Sequence, residues 1–391
     1  MDVSVRLVTE NSKPSRRSYL TALSAACVGS VGGCLRLAES GSEPTARTGT
    51  PGDGRTTSRD GDSTTSGGQS ALRESWTLSK WGSDIVPFDG TFYASTWVSK
   101  QVYALEPDGT VQWKTDEVGK FKSDSLAVTD ALVVGCAYGG QVTAFDRETG
   151  KIRWNFTGGE VPAWEVAPTV TDEYVVAVNQ AMEPDAPAVV YVLNKASGDI
   201  ADTFEYRGDR TNVDSTGVVD GRLVVSTTNA IDVFDLDTLS KTDTHEEGLF
   251  GTSRVHDGDL FAAVDDNVYR YGLDDSGLTQ RWGASLRGSV WDLTVTDEGV
   301  VANGRGGLFK VGLDGSTKWW AKTEGRAGRA VWAGDSAVVM DEFLQLYAFD
   351  AASGDQMSRV KLPSEGSMSP ISSIGSVVLT AVKPFTAFEV S

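Results

Sequence analysis

The sequence contains few of the residues that most often carry catalysis or bind metal ions. Its 391 residues include only three cysteines and two histidines. Of the cysteines, only Cys136 lies in the part of the chain that we expect to fold, where apolar neighbours predict a small core residue and no disulfide can form. His245 falls in a polar loop and His256 in a turn, without the spacing of a metal-binding pair. The composition therefore argues against a thiol-based or histidine-based site.

Lysine is also scarce, and acidic residues dominate the charge. The chain has 54 aspartates and glutamates against 35 lysines and arginines, only 14 of which are lysines, and its formal net charge is −19. This balance opposes binding to nucleic acid or to an anionic membrane surface. It resembles the composition of proteins from salt-loving archaea, whose acidic surfaces stay hydrated in molar salt. An ordinary acidic secreted protein is the alternative.

Helical periodicity is missing as well. The chain has no amphipathic run of helical length, and no glycine-rich phosphate loop leads from a strand into a helix. What the sequence does contain is a hairpin that ends at Trp154. Its strands carry small or apolar residues at alternate positions, and Asp146 and Thr149-Gly150 supply the turn between them.

Copies of this hairpin recur along the chain. Taking the residue before the alanine-like position of each copy, the gaps are 40, 48, 41, 37, 40, 38 and 39 residues. Each copy also follows a second turn and an apolar run, such as Asp130-Ala131 with Leu132 to Val134. A period of this length with only strand and turn signals is typical of a β-propeller blade. The repeated residues are Tyr103, Thr143, Tyr191, Asp232, Tyr269, Phe309, Tyr347 and Thr386.

The repeats predict an all-β fold, an eight-bladed β-propeller of four-stranded antiparallel blades. The last repeat stops on its third strand, at Phe388 to Val390, whereas Glu74 to Leu78 has the pattern of an outer strand without the three before it. We therefore expect the N-terminal strand to pair with the last blade and close the ring. Closure of this kind removes free sheet edges.

One copy matches a known repeat in full. The pattern Ala-x-Asp-x-x-Thr-Gly-x-x-x-Trp at Ala144 to Trp154 resembles the repeat of the pyrroloquinoline-quinone (PQQ)-like β-propeller family, and the resemblance covers about residues 74 to 391. In that family the tryptophan docks each blade onto its neighbour. Two copies depart from the pattern, with Ala201 or Asp202 near the tryptophan position in the third and Ser358 in the seventh. The docking residues that the resemblance implies are Trp76, Trp113, Trp154, Trp282 and Trp319.

The resemblance raises the question of whether this chain binds PQQ. PQQ-dependent dehydrogenases are similar in fold but longer. They hold the quinone between a tryptophan and a ring formed by adjacent cysteines, with Ca²⁺ bound by Glu, Asn and Asp. No two cysteines are adjacent in this chain, and the Ca²⁺ ligands find no residue-by-residue match. We therefore expect no cofactor, no metal and no catalytic residue.

The N-terminal region is predicted to direct export and anchoring. Arg16 and Arg17 precede an apolar run that is too short to span a bilayer, so that residues 1–33 resemble a twin-arginine signal peptide. The run ends in a sequence that resembles a lipoprotein cleavage box, with Cys34 as the lipidated residue; an ordinary basic N-terminus is the alternative. Residues 34–70, rich in Ser, Thr, Gly and Asp, are predicted to be a disordered tether, and residues 71–391 the propeller.

The axial mouth of the ring is the remaining candidate for binding. Residues just upstream of the inner-strand turns combine aromatic groups with charges of both signs, as in a ligand-binding or protein-docking surface. Polar residues there are also a general feature of propellers, which is the alternative. The predicted lining residues are Asp84, Asp124, Trp164, Glu165, Asp214, Arg254, Trp291, Asp292, Arg326 and Arg329.

These patterns predict a monomeric propeller lipoprotein on the outer face of the cell membrane. We expect a non-enzymatic binding or assembly scaffold for a protein or glycan partner, because lipid-anchored propellers of the resembled family act in bacterial outer-membrane protein assembly. The alternative is a small PQQ-dependent or sugar-binding oxidoreductase, or a subunit of one, with its active site on the propeller axis.

Overall fold

The computed structural model describes residues 55–56, 71–158, 166–180, 186–208, 212–246, 252–274, 277–363 and 370–391. The chain from Asp53 to Ser391 forms one compact unit. Regular structure in the described residues is built from β-strands, which form eight antiparallel sheets. No helix in this part of the chain is long and apolar enough to cross a membrane. The predicted eight-bladed propeller is confirmed.

Each blade is a meander whose first strand lies at the axis and whose fourth lies at the rim. Two strands, β1 (Arg55–Thr56) and β2 (Leu72–Leu78), precede the first complete blade. Blade 1 consists of β3 (Gly82–Phe88), β4 (Thr91–Thr96), β5 (Val102–Leu105) and β6 (Val111–Lys114). Blade 2 consists of β7 (Phe121–Val128), β8 (Leu132–Ala137), β9 (Gln141–Asp146) and β10 (Ile152–Thr157), and blade 3 of β11 (Thr169–Val170), β12 (Tyr174–Asn179), β13 (Ala188–Asn194) and β14 (Ile200–Tyr206). Blade 4 consists of β15 (Val213–Val219), β16 (Arg222–Thr227), β17 (Ile231–Asp235) and β18 (Lys241–His245).

The second half of the ring repeats the arrangement, and its last blade takes its fourth strand from the N-terminal side. Blade 5 consists of β19 (Thr252–His256), β20 (Asp259–Val264), β21 (Asn267–Asp274) and β22 (Gly277–Ser285), and blade 6 of β23 (Val290–Thr296), β24 (Gly299–Gly304), β25 (Gly307–Val311) and β26 (Thr317–Lys322). Blade 7 consists of β27 (Val331–Ala333), β28 (Ser336–Met340), β29 (Gln345–Asp350) and β30 (Gln356–Lys361). Blade 8 consists of β31 (Ile371–Ile374), β32 (Val377–Thr380) and β33 (Phe385–Val390), with β2 as its fourth strand.

The ring closes where β2 pairs with β33. The register runs from Leu72 opposite Val390 to Leu78 opposite Phe385, with Trp76 opposite Ala387. The predicted closure by the N-terminal strand is therefore confirmed. Two residues of the predicted tether, Arg55–Thr56, add a short fifth strand to this blade by pairing with Leu78 and Thr77. The rest of residues 1–70 lies outside the described residues.

The turn between the third and fourth strands of blade 2 follows from its Asp-x-x-Thr-Gly sequence, which is complete in this blade alone. In blade 2 the Asp146 carboxylate accepts hydrogen bonds from the Thr149 N–H at 2.9 Å and the Thr149 hydroxyl at 2.6 Å. Gly150 follows at φ +67°, a conformation that side-chain-bearing residues rarely adopt. The Thr149 hydroxyl and then the Arg153 guanidinium lower the pKa of Asp146 to about 2. The short acid and the glycine thus both suit this turn, and in blade 4 the position of the glycine is taken by Leu239 at φ +53°.

The five tryptophans that the resemblance implies as docking residues lie on fourth strands. Each indole ring stacks on the glycine of the next blade's turn, and each indole Nε1–H donates to a backbone carbonyl of that blade at 2.7–3.0 Å. The pairs are Trp76 with the Pro107 carbonyl, Trp113 with Arg147, Trp154 with Lys195, Trp282 with Leu313 and Trp319 with Ala351. One side chain therefore fixes both the distance and the orientation of adjacent blades.

Three blades have another residue at the tryptophan position. The strand register places Asp202, Asp243 and Ser358 there, opposite Val192, Val233 and Ala348. In blade 4 the Asp243 carboxylate accepts a hydrogen bond from the Leu278 N–H at 3.1 Å. In blade 3 the contact moves along the strand to Phe204, whose ring stacks on Phe234 of blade 4 at 4.2 Å.

Candidate functional site

The innermost strands surround an axial channel and define the two faces of the ring. Neighbouring first strands pack against each other, as β3 does against β7 and β19 against β23. We name the side at which these strands begin the mouth face. Because the strands alternate in direction, the loops between second and third strands and those between blades also lie there. The short turns from first to second strands lie on the opposite side, the turn face.

Two cavities occupy the channel, one above the other. The mouth cavity, of about 290 Å³, is lined among others by Asp214, Arg254, Trp291 and Asp292. The lower cavity, of about 390 Å³, reaches Pro87, Thr296 and Ser373 near the turn face and also touches Asp84. Asp124 and Arg329 line both cavities. This pair therefore lies between them, inside the channel.

An ion-pair network crosses the channel at this level. Arg329 donates from Nη2 to Asp124 Oδ1 at 2.7 Å and from Nε to Asp292 Oδ2 at 3.2 Å. Arg254 donates from Nη2 to the other oxygen of Asp292 at 2.6 Å. These four residues come from blades 2, 5 and 6 and from the segment that leads into blade 7. The network thus ties opposite sides of the ring to each other.

Protein surrounds this network on all sides, although its side chains face the lumen. The Asp124 and Arg329 side chains are 38% and 32% exposed for this reason. Burial alone would raise the pKa of Asp124, but Arg329 and Arg254 outweigh burial and lower it. Asp292, followed by Asp124, raises the pKa of the Arg329 guanidinium against the opposing effect of burial. Both groups are therefore held in their charged forms.

The pKa of Asp84 is shifted in the opposite direction to that of Asp124. Its side chain is buried, and burial, followed by the negative charge of Asp124, raises its pKa to about 6. Asp84 Oδ2 accepts hydrogen bonds from the Ser125 N–H at 2.8 Å and the Leu126 N–H at 3.0 Å. These two amides follow Asp124, whose φ of +52° lies in the left-handed region, and the register of β7 shifts at this point. Asp84 therefore holds the irregular backbone that directs Asp124 toward Arg329.

The structure brings most of the predicted mouth residues together. Asp84, Asp124, Asp214, Arg254, Trp291, Asp292 and Arg329 all line the two cavities. Arg326 lies apart from the lumen, where it donates to Glu342 Oε2 at 2.9 Å and its guanidinium covers the Trp291 ring at 5.5 Å. Trp164 and Glu165 lie outside the described residues, as do Arg16, Arg17 and Cys34.

Sequence reasoning missed a set of exposed apolar side chains on the mouth face. Trp81 precedes β3, Val98 and Tyr138 lie in second-to-third-strand loops, and Phe343 lies in the corresponding loop of blade 7; all four are exposed. The available signal was the presence of Trp97-Val98 and Tyr138 at positions where hairpin loops usually carry polar residues. Exposed aromatic groups on one face are typical of protein-docking surfaces.

The turn face carries many acidic residues, together with exposed apolar side chains at the starts of three fourth strands, Ile152, Ile200 and Met357. Seven of the eight turns from first to second strands contain an acidic residue, and only the turn of blade 8 lacks one. A further cleft of about 620 Å³ opens on this side between blades 2, 3 and 4, where β11 is only two residues long. The acidic turn residues are Asp89, Asp130, Asp172, Glu173, Asp220, Asp257, Asp297, Glu298 and Asp335.

The channel does not fit a quinone held as in the PQQ-dependent dehydrogenases. The one cysteine of the described residues, Cys136, is buried in the core of blade 2, where burial raises the pKa of its thiol. The lumen carboxylates of Asp124 and Asp292 both bind Arg329, and Asp292 also binds Arg254, so both are already engaged by arginines. Among the described residues, no cluster of His, Cys, Asp and Glu has a metal-binding arrangement.

Comparison with known proteins identifies the family. The model of the family described as outer membrane protein assembly factor BamB matches residues 50–282. No curated protein sequence gives a significant match. Similar solved structures include BamB from Moraxella catarrhalis, with 16% identity over 81% of this chain and 99% of that chain and a TM-score of 0.65. The C-terminal WD40 domain of Sif2 is 13% identical over 83% and 100% of the two chains, with a TM-score of 0.68.

A quinohemoprotein alcohol dehydrogenase from Comamonas testosteroni is also similar, with 13% identity over 82% of this chain and 77% of that chain and a TM-score of 0.61. At these identities the solved structures establish the fold alone. The family model, in contrast, covers more than half of the sequence. Because of this match, with which the propeller fold agrees, the chain belongs to the outer membrane protein assembly factor BamB family.

Proposed function

We propose that this protein is a membrane-tethered, extracytoplasmic and non-enzymatic scaffold that binds a protein partner on its mouth face. The observation that carries the proposal is the pairing of the channel charges with one another, Arg329 with Asp124 and Asp292, and Arg254 with Asp292. Groups that already neutralise each other brace the ring and are not set to bind a substrate. The exposed aromatic side chains around the channel are then the main contact surface. Membership of a family named for an assembly factor supports this role.

Photo-crosslinking in intact membranes tests the proposal. A photoreactive amino acid at Trp81 or Phe343 on the mouth face should give a cross-link to one defined protein, whereas the same amino acid at Asp220 or Asp257 on the turn face should not. All four positions are exposed or lie in turns, so the substitutions leave the core intact. A cross-link formed from the turn face alone would contradict the proposed docking face.

Anchoring through Cys34 is part of the same proposal. Cys34→Ser should move the protein from the membrane pellet to the soluble fraction, because the tether contains no apolar segment that could hold it. Arg16→Lys combined with Arg17→Lys should leave the precursor inside the cell if export uses the twin-arginine route. A Cys34→Ser protein that stays in the pellet after a high-salt wash would contradict lipidation at this residue.

A quinone-dependent oxidoreductase is the second candidate, favoured only by the shared fold of the quinohemoprotein dehydrogenase. Purified protein incubated with PQQ and Ca²⁺ separates the two functions. The scaffold function predicts no stoichiometric quinone absorbance and no reduction of an electron-accepting dye. Turnover of an alcohol or sugar under these conditions would contradict the scaffold function and support the oxidoreductase function.

A further inference from the structure

The direction of β1 shows on which face the chain enters the propeller. Because β2 serves as a fourth strand, it runs from the turn face at Leu72 to the mouth face at Leu78, where the segment that leads into β3 begins. β1 pairs antiparallel with β2, with Arg55 opposite Leu78 and Thr56 opposite Thr77. The chain therefore enters β1 at the mouth face and runs from there toward the turn face.

The length of chain between this entry point and the proposed anchor restricts how the propeller lies on a membrane. Only 20 residues separate Cys34 from Arg55. If they form a random coil, as the sequence predicts, they span about 25 Å on average. A seven-residue strand such as β2 is about 23 Å long. To bring the turn face to the membrane, the tether would therefore spend nearly its whole average span in passing the rim of the ring, whereas the mouth face needs no such extension.

The two faces also differ in charge. The segments that connect strands on the turn face contain 17 acidic and 3 basic residues, whereas those that connect strands on the mouth face contain 15 acidic and 10 basic residues. An anionic membrane surface therefore repels the turn face more strongly than the mouth face. The charge difference and the entry point of the chain favour the same orientation.

The part of the mouth face beside the entry point contains no acidic residue. It consists of residues 79–81, which follow β2, and residues 381–384, which precede β33; their charged residues are Lys80 and Lys383. The Phe385 N–H donates to the Lys80 carbonyl at 3.1 Å and holds the two segments together. The edge of the ring at which the chain enters is thus one that an anionic surface does not repel.

We propose that the propeller is held with its mouth face toward the membrane, and that the partner docked there is an integral membrane protein, bound through the part that projects from the bilayer. Such a partner lies within reach of the tether, whereas a protein that diffuses outside the cell would first meet the acidic turn face. The inference rests on the proposed anchoring at Cys34 and docking on the mouth face. It adds the orientation of the ring and the class of the partner.

Resonance energy transfer to the bilayer tests the orientation. The lipidated protein is reconstituted in phosphatidylcholine vesicles that contain an acceptor-labelled lipid, in molar salt. A donor dye is attached at Val98→Cys on the mouth face or at Thr110→Cys on the turn face of the same blade, both exposed positions. The unaltered protein, whose Cys136 is buried, gives the background labelling. Because about the 23 Å length of a strand separates the two labels, transfer should be about twofold greater from Val98→Cys.

A pair of variants tests whether β1 sets the orientation. Arg55→Pro combined with Thr56→Pro removes the pairing with β2, since proline lacks the N–H group and does not fit a paired strand. The chain then enters the ring at Leu72 on the turn face, and the ratio of the two transfer efficiencies should fall to about one or below. Arg55→Ala combined with Thr56→Ala keeps the backbone pairing and should keep the ratio. Melting temperatures show whether both variants remain folded.

Greater transfer from Thr110→Cys, or a ratio that the prolines leave unchanged, would overturn the orientation. Transfer that persists in the Cys34→Ser protein would contradict the anchoring itself. If transfer depends on Cys34 but is equal from both labels, the anchoring stands and the orientation fails.

The class of the partner has its own readout. Cys34→Ser protein that carries the photoreactive amino acid at Phe343 is added back to membranes and cross-linked. The product should stay in the pellet after extraction with alkaline carbonate, because the partner then supplies the only membrane anchor. A cross-linked product that carbonate releases would overturn the assignment of an integral membrane protein.

Discussion

Asp84 makes the stability of this protein depend on pH in an unusual direction. Its pKa of about 6 in the folded state lies above the ordinary value of 3.8. The stability that the protonated group contributes is therefore fully present below about pH 3.8 and is lost as the pH rises through about 6.

We expect the difference in melting temperature between the unaltered protein and Asp84→Asn to fall from pH 4 to pH 7, because the variant lacks this titration. The change corresponds to at most about 3 kcal/mol in the free energy of unfolding. Comparison with the variant cancels the effect of carboxylates such as Asp146 and Asp314, whose lowered pKa values act in the opposite direction. A constant difference across this range would contradict the raised pKa.

Arg329 is the residue on which the channel network depends. Replacing it with methionine leaves the carboxylates of Asp124 and Asp292 without their shared cation. We expect Arg329→Met to lower the free energy of unfolding by about 2–3 kcal/mol, less than for a fully buried pair because water reaches the lumen. Arg326→Met is the control, since its pair with Glu342 is close to the surface and contributes about 0–1 kcal/mol. Denaturant unfolding should show this order, and equal effects would contradict it.

The residues of the channel were predictable from the sequence, but their pairing was not. The repeat period places Asp84, Asp124 and Asp292 within first strands and Arg329 just before one, which is why the sequence could nominate them for the channel. The Asp124–Arg329 contact joins residues 205 positions apart. Nothing in the pattern of either segment specifies this partner, because it depends on which side chains meet across the lumen once the ring is closed.

At the scale of the element, the stacking of each tryptophan on a turn glycine can be tested directly. A Cβ added at Gly150 would lie 2.5 Å from the Trp113 ring, whereas a Cβ at Gly221 meets nothing within 4 Å. Both glycines have positive φ, of +67° and +75°. Gly221→Ala therefore measures the conformational cost alone, about 1–2 kcal/mol. Gly150→Ala should cost a further 1–3 kcal/mol, roughly, by overpacking the docked ring.

Thermal or denaturant unfolding of the two glycine variants provides the measurement. Similar losses for both would show that Trp113 moves aside without cost, and that the stacked geometry does not hold blades 1 and 2 together.

The blades without a docking tryptophan show where the repeat pattern fails as a guide. At blade 4 the receiving turn of blade 5 meets a carboxylate, Asp243. At blade 7 the position is Ser358, and the neighbouring blade 8 has no turn between its third and fourth strands, because these are β33 and β2. In place of that turn, the Ser391 N–H donates to the Ala71 carbonyl at 3.0 Å. The sequence shows that the tryptophan is missing, but only the topology explains why none is needed.

At the scale of the whole molecule, ring closure by β2 leads to a deletion experiment. Removing residues 1–70 should leave a folded domain, whereas removing residues 1–78 should not. The longer deletion removes the pairing with β33, the burial of Trp76 and Leu72, and the hydrogen bond from Trp76 to the Pro107 carbonyl. Each buried side chain contributes about 1.5–3 kcal/mol and each hydrogen bond about 1 kcal/mol, a large share of a typical stability of about 5–15 kcal/mol.

Melting temperatures and aggregation of the two deletions, compared in molar salt, provide the test. The salt matters because a domain with this excess of acidic residues is destabilised by self-repulsion in dilute buffer. Equal melting temperatures would mean that β2 contributes little to closure.

The pairing of β2 with β33 also makes the propeller a cooperative unit. An open array of repeats gains stability from nearest neighbours only, so that its end repeats can fray while the middle stays folded. Here the first and last strands of the ring are each other's neighbours, so no blade is terminal. In the folded ring the other blades hold β2 and β33 at a high effective concentration, whereas in the unfolded chain the same pairing must close a loop of more than 300 residues. Loss of any one blade therefore weakens the contact that holds all the others, and the chain folds or unfolds as a whole.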